Sequence, residues 1–189
     1  MFTWQIDEKI HLGLLEPRHA PELAQLVRAN AQFFGRWLPF ATEEYGEGEA
    51  LEFIQRSLRQ FAANMGVQAA ILLDHRVVGM VGLHLVDWGN RSSSLGYWLD
   101  RKANGQGIMT RAAEAIVHYA FRQLQLHRLE IRTQEDNLRS QRVAERLGFV
   151  REGVLVDVAR HNNRYVNFVI FARVSKEDHM SRGQEVSDG

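Results

Sequence analysis

The chain has 189 residues, 45% of them hydrophobic, no cysteine, and 23 basic side chains balanced by 23 acidic ones. That is enough chain for one domain with a true core, and the lack of cysteine excludes a disulfide scaffold, a thiolate zinc site and a cysteinyl acyl-enzyme. A formal charge of zero argues against a nucleic-acid partner, no apolar run approaches the roughly 18–20 residues of a membrane span, and the start Met1-Phe2-Thr3-Trp4 lacks a signal peptide's basic-then-apolar order, which together predict a cytoplasmic protein with no membrane contact.

Ile10 to Leu15 reads as a short strand closed by Glu16-Pro17. Pro21 suits the first turn of a helix whose Leu23, Leu26 and Val27 share one face. After the aromatic-rich segment from Phe33 to Phe40, the positions Leu51, Ile54, Leu58, Phe61 and Met65 step by three and four residues, predicting an amphipathic helix with Glu52, Gln55, Arg56 and Arg59 facing out. Val67 to Leu73, the turn Asp74-His75-Arg76, Val77 to Trp88, the loop Gly89-Asn90-Arg91 and Ser93 to Leu99 describe an antiparallel meander. Helices then follow at Ile108 to Leu124 and Leu138 to Leu147, and strands at Arg128 to Thr133, Phe149 to Val158 and Val166 to Val174. The predicted fold class is α/β (α+β), a mixed sheet that is antiparallel first and then carries a β-loop-α-β unit. Residues 1–174 are predicted to form a single domain, and the polar stretch 175–189, with almost nothing to bury, a flexible tail.

The neutral total conceals segregation. Residues 1–100 carry 8 Lys/Arg against 12 Asp/Glu, residues 101–151 carry 10 against 5, and residues 152–189 carry 5 against 6. The basic middle contains Asp100-Arg101-Lys102-Ala103-Asn104-Gly105-Gln106-Gly107-Ile108-Met109-Thr110, set between a strand and a long helix. Two glycines let backbone N–H groups close on a ligand, and the free N–H groups of a helix start favour negative charge, so the segment suits a pyrophosphate. A P-loop string is absent, and a dinucleotide fingerprint would need a third glycine where Thr110 stands.

What remains matches the R/Q-x-x-G-x-G/A coenzyme A loop of the GNAT superfamily of N-acetyltransferases, with Lys102 replacing the usual Arg or Gln. Around it stand Gly96-Tyr97-Trp98-Leu99-Asp100 and, some thirty residues on, Asp136-Asn137-Leu138-Arg139-Ser140 leading into Glu145-Arg146-Leu147-Gly148-Phe149. From Ile10 to Arg173, with Trp37-Leu38-Pro39, Glu152-Gly153 and Tyr165 included, the chain resembles the Rim-type (RimJ/RimL-like) protein N-acetyltransferases.

The resemblance implies a mostly antiparallel, splayed central sheet flanked by helices, acetyl-CoA as donor, and as acceptor a protein N-terminus or a small amine. A homodimer is compatible with such a fold. Lys102, Asn104, Gly105, Gln106, Gly107, Ile108, Met109 and Thr110 would surround the pyrophosphate, with Arg101 and Arg111 near it, and the pantetheine arm would lie along Tyr97, Trp98 and Leu99. Asn137 is placed to cap its helix and, by resemblance, to touch coenzyme A. Ser140 falls on the buried face of that helix and matches the family's serine near the sulfur, thought to protonate the departing thiolate. Phe33, Trp37 and Leu38, followed by Glu43, Glu44, Glu47, Glu49 and Glu52, would form an acceptor groove that draws a cation.

Deprotonation is where the chain departs from the family, because its acidic residues are replaced here by Ala159 and Ser94, which leaves open a sensor module that binds acyl-CoA without turnover. An α-amine, with a pKa near 7.7–8.0, is roughly 10% neutral at pH 7 and needs a base least. Asp157, His161 and His84 are the candidate substitutes. The eight histidines show no metal-binding spacing, so no metal is predicted.

Overall fold

The computed structural model describes residues 3–175. The chain runs β1 (Thr3–Gln5), β2 (Ile10–Gly13), α1 (Ala20–Ala29), α2 (Ala31–Phe34), α3 (Glu47–Ala62), β3 (Val67–Leu73), β4 (Arg76–Leu83) and β5 (Ser92–Leu99). It continues through α4 (Ile108–His118), β6 (Arg128–Gln134), α5 (Leu138–Arg146), β7 (Val150–His161) and β8 (Arg164–Val174). The eight strands lie in the order β1-β2-β3-β4-β5-β6-β8-β7, and every neighbouring pair is antiparallel except β5 with β6. The predicted meander is β3 to β5, and the predicted β-loop-α-β unit is β5, α4 and β6.

Alternation along the strands divides the core into two layers. Val67, Ala69 and Ile71 of β3 face a cluster built with α4 and α5, while Ala70 and Leu72 face a second cluster built with α1, α2 and α3. Helices therefore cover both faces. The predicted contact face of α3 is shifted: Ala50 and Ile54 are its buried residues, whereas Phe61 and Met65 are exposed, Met65 lying beyond the helix end. The methyl side chain of Ala50 lets the helix approach, and the larger residues flank the contact.

Three other boundaries differ from the sequence pattern. β1, three exposed residues with no apolar alternation, has no signal in the sequence and forms by pairing Thr3–Gln5 with β2. β4 ends at Leu83 rather than Trp88, because the Val86 N–H turns away to donate to the Met65 carbonyl. The helix predicted to Leu124 is α-helical only to His118 and then widens into a π turn over Tyr119–Gln123, closed by Leu124 N–H on the Tyr119 carbonyl. Of the predicted tail, Ser175 is held by its N–H on the His127 carbonyl, and residues 176–189 lie outside the described residues.

The sheet is not continuous between β5 and β6. Their parallel pairing spans only Ser92–Arg128, Ser93–Leu129 and Ser94–Glu130. Beyond Ser94 the two strands part, leaving one edge of β5 open. The His84 N–H donates to Ser94 and the Asp100 N–H to Val78, so in the alternating antiparallel ladder Ser94, Gly96 and Trp98 point their backbone groups at β4. The Leu95 C=O, the Tyr97 N–H and C=O and the Leu99 N–H consequently face the gap, while the Leu95 N–H closes the last pair with β6 and the Leu99 C=O accepts from Asn104 Nδ2 at 3.5 Å.

Candidate active site

At the C-terminal end of β5 the chain makes a braced turn. Asp100 caps a short 3₁₀ segment by accepting the Lys102 N–H at 3.1 Å, the Arg101 N–H donates to Asn30 Oδ1 at 3.0 Å, and Asn104 Nδ2 donates to the Asp100 carbonyl at 2.8 Å. Gly105 and Gly107 then adopt φ of +81° and +71°, the left-handed region in which a Cβ is strained. Gly107 is the N-cap of α4, and no side chain among the described residues caps that helix, so its first-turn N–H groups point outward from the loop. Arg111 is anchored by Asp7, Nε to Oδ2 at 3.0 Å, with its guanidinium beside Gly107. The segment is a cradle for an anion: helix N–H donors, permissive glycines and fixed positive charge.

A cavity of about 760 Å³ lies where β5 and β6 part. Tyr97, Asn137 and Ser140 line it. Asn137 Oδ1 accepts the Ser140 N–H at 3.2 Å, the capping geometry expected of its position. Ser140 is only partly buried, since its hydroxyl reaches out of the helix to Tyr97: Ser140 Oγ lies 3.2 Å from the Tyr97 hydroxyl, which itself donates to the Ser140 carbonyl at 3.0 Å. Burial pushes the Tyr97 phenol up to about 12, so it is a neutral donor at any physiological pH. Sequence reading assigned Tyr97 by its main chain and missed this hydroxyl, whose partner is 43 residues away.

His84, just past β4, also lines the cavity, with its ring lying over Gly96. A Cβ at Gly96 would overlap that ring, 3.0 Å from Cε1 and 3.2 Å from Cδ2. Surrounding protein desolvates the imidazolium and holds the His84 pKa below the usual histidine value, leaving the ring neutral near pH 7. The other two candidate bases are elsewhere. Asp157 is exposed on β7, in an irregularity between Leu155 and Ala159 where its own φ is +51°, and it does not line the cavity. His161 is buried with Nε2 3.0 Å from the Gly35 carbonyl, tying the β7–β8 hairpin to the front of the chain.

Trp37 and Leu38 line the cavity mouth, together with Phe40 and Tyr45. Phe33 does not; it packs against Phe34, with the Arg139 guanidinium 5.8 Å from its ring centroid. Glu44, Glu49 and Glu52 bring carboxylates to the same mouth, offset by Arg56. Sequence reading missed Gln68, Gln134 and Phe168 in the wall, because nothing local distinguishes them from other strand residues. Among the described residues no group of three or more His, Asp or Glu is placed to hold a metal ion, and no helix is long and apolar enough to cross a membrane.

Comparison with known proteins agrees with this arrangement. Residues 9–150 match the family model described as the acetyltransferase (GNAT) domain. The Bacillus subtilis (strain 168) protein YdaF is 36% identical over 178 residues, 94% of this chain and 97% of YdaF. The ribosomal-protein-serine acetyltransferase of Escherichia coli (strain K12) is 26% identical over 172 residues, 91% of this chain and 96% of its own. In fold, the structure of RimL, the ribosomal L7/L12 α-N-protein acetyltransferase in complex with coenzyme A, superposes with a TM-score of 0.87 at 24% identity, covering 92% of this chain and 98% of RimL. The splayed sheet, the glycine cradle and these matches make the chain a member of the GNAT family, an acyltransferase enzyme of the acetyl-CoA-dependent N-acetyltransferase type.

Proposed function

We propose that the protein acetylates the N-terminal α-amine of another protein, of the ribosomal-protein type, in the cytoplasm, by direct attack of the amine on acetyl-CoA in a ternary complex, and that residues 1–174 are one such transferase domain. The observation that carries the reading is the open edge of β5, whose Gly96, Tyr97 and Trp98 line the cavity and whose C-terminal end leads into the glycine cradle. Bound acetyl-CoA supplies an activated acetyl group as a thioester.

The chain's own groups account for the rest. N–H groups of Gly105 to Ile108 hold the pyrophosphate, with Lys102, Asn104, Gln106, Met109 and Thr110 around it. The Leu95 C=O, the Tyr97 N–H and C=O and the Leu99 N–H pair with the pantetheine amides like an added strand, and one such N–H stabilises charge on the thioester oxygen. His84, the candidate base that faces the cavity, takes the amine proton directly or through water. The Ser140 hydroxyl, which donates to the Tyr97 oxygen in the resting site, turns to give its proton to the departing thiolate as the Tyr97 hydroxyl turns to resupply it, and the proton taken by His84 returns to Tyr97 through water. That the E. coli relative acts on ribosomal-protein serine and RimL on L7/L12 supports a protein acceptor.

A second reading, a small cationic amine as acceptor, is favoured by Glu44, Glu49 and Glu52 at the mouth. One experiment separates the two: thiol release from acetyl-CoA over a panel of N-terminal peptides and small amines, with mass spectrometry locating the acetyl group. Turnover on peptide α-amines supports the first reading. Turnover on small amines alone overturns it, and tight coenzyme A binding with no turnover on any acceptor overturns both.

A further inference from the structure

The floor of the cavity contains a polar group that the mechanism above does not use. Along β6 the side chains alternate: Leu129 and Ile131 enter the core beside α4, and Arg128, Glu130, Arg132 and Gln134 take the opposite face. Glu130 and its two arginines satisfy one another in an ion cluster, Arg132 Nη2 reaching Glu130 Oε2 at 2.8 Å. Gln134 has no such partner. The residue is 5% exposed, and its side-chain Oε1 is buried with no hydrogen bond from any described residue.

Its main-chain carbonyl is used, accepting the Asn137 N–H at 2.9 Å in the turn that leads to Ser140. Gln134 opens the turn and Ser140 lies in the first turn of α5 that follows it, and both line the cavity, with Phe168, the register partner of Gln134 on β8, beside them. Buried carboxamide oxygens are nearly always hydrogen-bonded in folded proteins. An unmet one in the wall of an active-site cavity is an acceptor waiting for a donor from the ligand. The terminal torsion of glutamine is broad, so the oxygen can turn toward the cavity at little cost. Its desolvation has already been met in folding, so a ligand N–H gains most of a hydrogen bond on arrival.

We infer that Gln134 is a specificity-determining residue whose side-chain oxygen accepts the first peptide N–H of the acceptor. This rests on the peptide-acceptor reading above. The attacking nitrogen must present its lone pair to the thioester and surrender a proton, so it is a poor permanent donor. The first peptide N–H, two bonds beyond the α-carbon, remains a donor throughout and is absent from simple amines. Gln134 thus distinguishes a peptide N-terminus from an amine of equal basicity.

The test pairs a substrate change with a residue change. The wild-type enzyme is assayed on a Ser-Ala-Ala-Ala peptide and on its depsipeptide, in which an ester oxygen replaces the first peptide N–H. The depsipeptide is expected to lose about tenfold in kcat/KM, the worth of one such hydrogen bond. In Gln134→Leu the peptide is expected to fall by about the same factor, the two acceptors to become equivalent, the KM for acetyl-CoA to stay within twofold, and the Tm not to fall, since an unmet buried acceptor has been removed. Equal kcat/KM for peptide and depsipeptide in the wild type overturns the inference while leaving the peptide reading intact. Discrimination that persists in Gln134→Leu, or a lowered Tm with unchanged acceptor kinetics, also overturns it. Turnover on small amines with none on peptides removes both readings together.

Discussion

Removing the Tyr97 hydroxyl tests the proton relay most directly. Tyr97→Phe keeps the ring and the β5 backbone and deletes two hydrogen bonds, to the Ser140 carbonyl at 3.0 Å and from Ser140 Oγ at 3.2 Å. Each is worth roughly 0.5–1.5 kcal/mol net, and the Ser140 carbonyl sits inside α5 where a helical donor also reaches it, so the combined loss is about 1–2 kcal/mol. At about 2–4 °C per kcal/mol for a domain of this size, Tm should drop by about 2–8 °C. Turnover should fall about ten- to hundredfold, because the hydroxyl that protonates the thiolate has lost the partner that orients it and can turn to resupply it. The KM for acetyl-CoA should change less than threefold, since the proposed contact there is main chain. Stopped assays of thiol release with calorimetry on the same sample give all three numbers. Ser140→Ala should reproduce the kinetic loss with a smaller change in Tm, and the double variant should be no slower than the slower single, as expected of two groups acting as one unit. Wild-type kcat in Tyr97→Phe, or multiplicative losses in the double variant, would refute the relay.

The remaining expectations are independent of that pair. Gly107→Trp places a side chain at φ +71° beside Arg111 and should abolish acetyl-CoA binding by titration calorimetry; unchanged affinity would remove the cradle from the site. Burial holds the His84 pKa below its unfolded value, so the folded state binds fewer protons there; stability from this residue is full above about pH 6.5 and is lost as pH falls through the folded pKa. Accordingly kcat/KM should fall below the amine's own pKa and steepen further below about pH 6.5, the steepening should disappear in His84→Gln, and an unchanged pH profile in that variant would acquit the imidazole. Glu44→Gln with Glu52→Gln should raise the KM for acceptors bearing an extra positive charge severalfold at low salt and little at high salt. A salt-independent effect would point to altered packing instead.

Much of the fold was legible because it depends on local pattern. Alternation marked β3 to β5, glycine and helix-start chemistry marked the turn at Gly105 to Ile108, and a polar N-cap marked Asn137. What escaped depends on distance in space. Nothing in the run Ser92–Leu99 says that only its first three residues, all serines, pair with β6, since the apolar residues Leu95 to Leu99 would suit a paired strand at least as well. Tyr97 and Ser140 meet across 43 positions. Asp157 was a candidate base as a carboxylate on a late strand near Ala159, and the irregularity between Leu155 and Ala159 places it on the surface. Phe33 and Trp37 looked alike as front-end aromatics, yet the cavity takes Trp37 while Arg139 covers Phe33.

The parting of β5 from β6 has a consequence for how the protein holds together. Two halves of one sheet are joined there by three residue pairs, and the helices spanning them must carry the remaining cohesion. With pantetheine as the proposed occupant, the donor is in effect a borrowed strand, and a ligand at a hundred times its Kd stabilises by about 2.7 kcal/mol. Amide exchange at Tyr97 and Leu99 would then slow as the coenzyme concentration rises, so that the donor itself closes the seam between the two halves of the sheet.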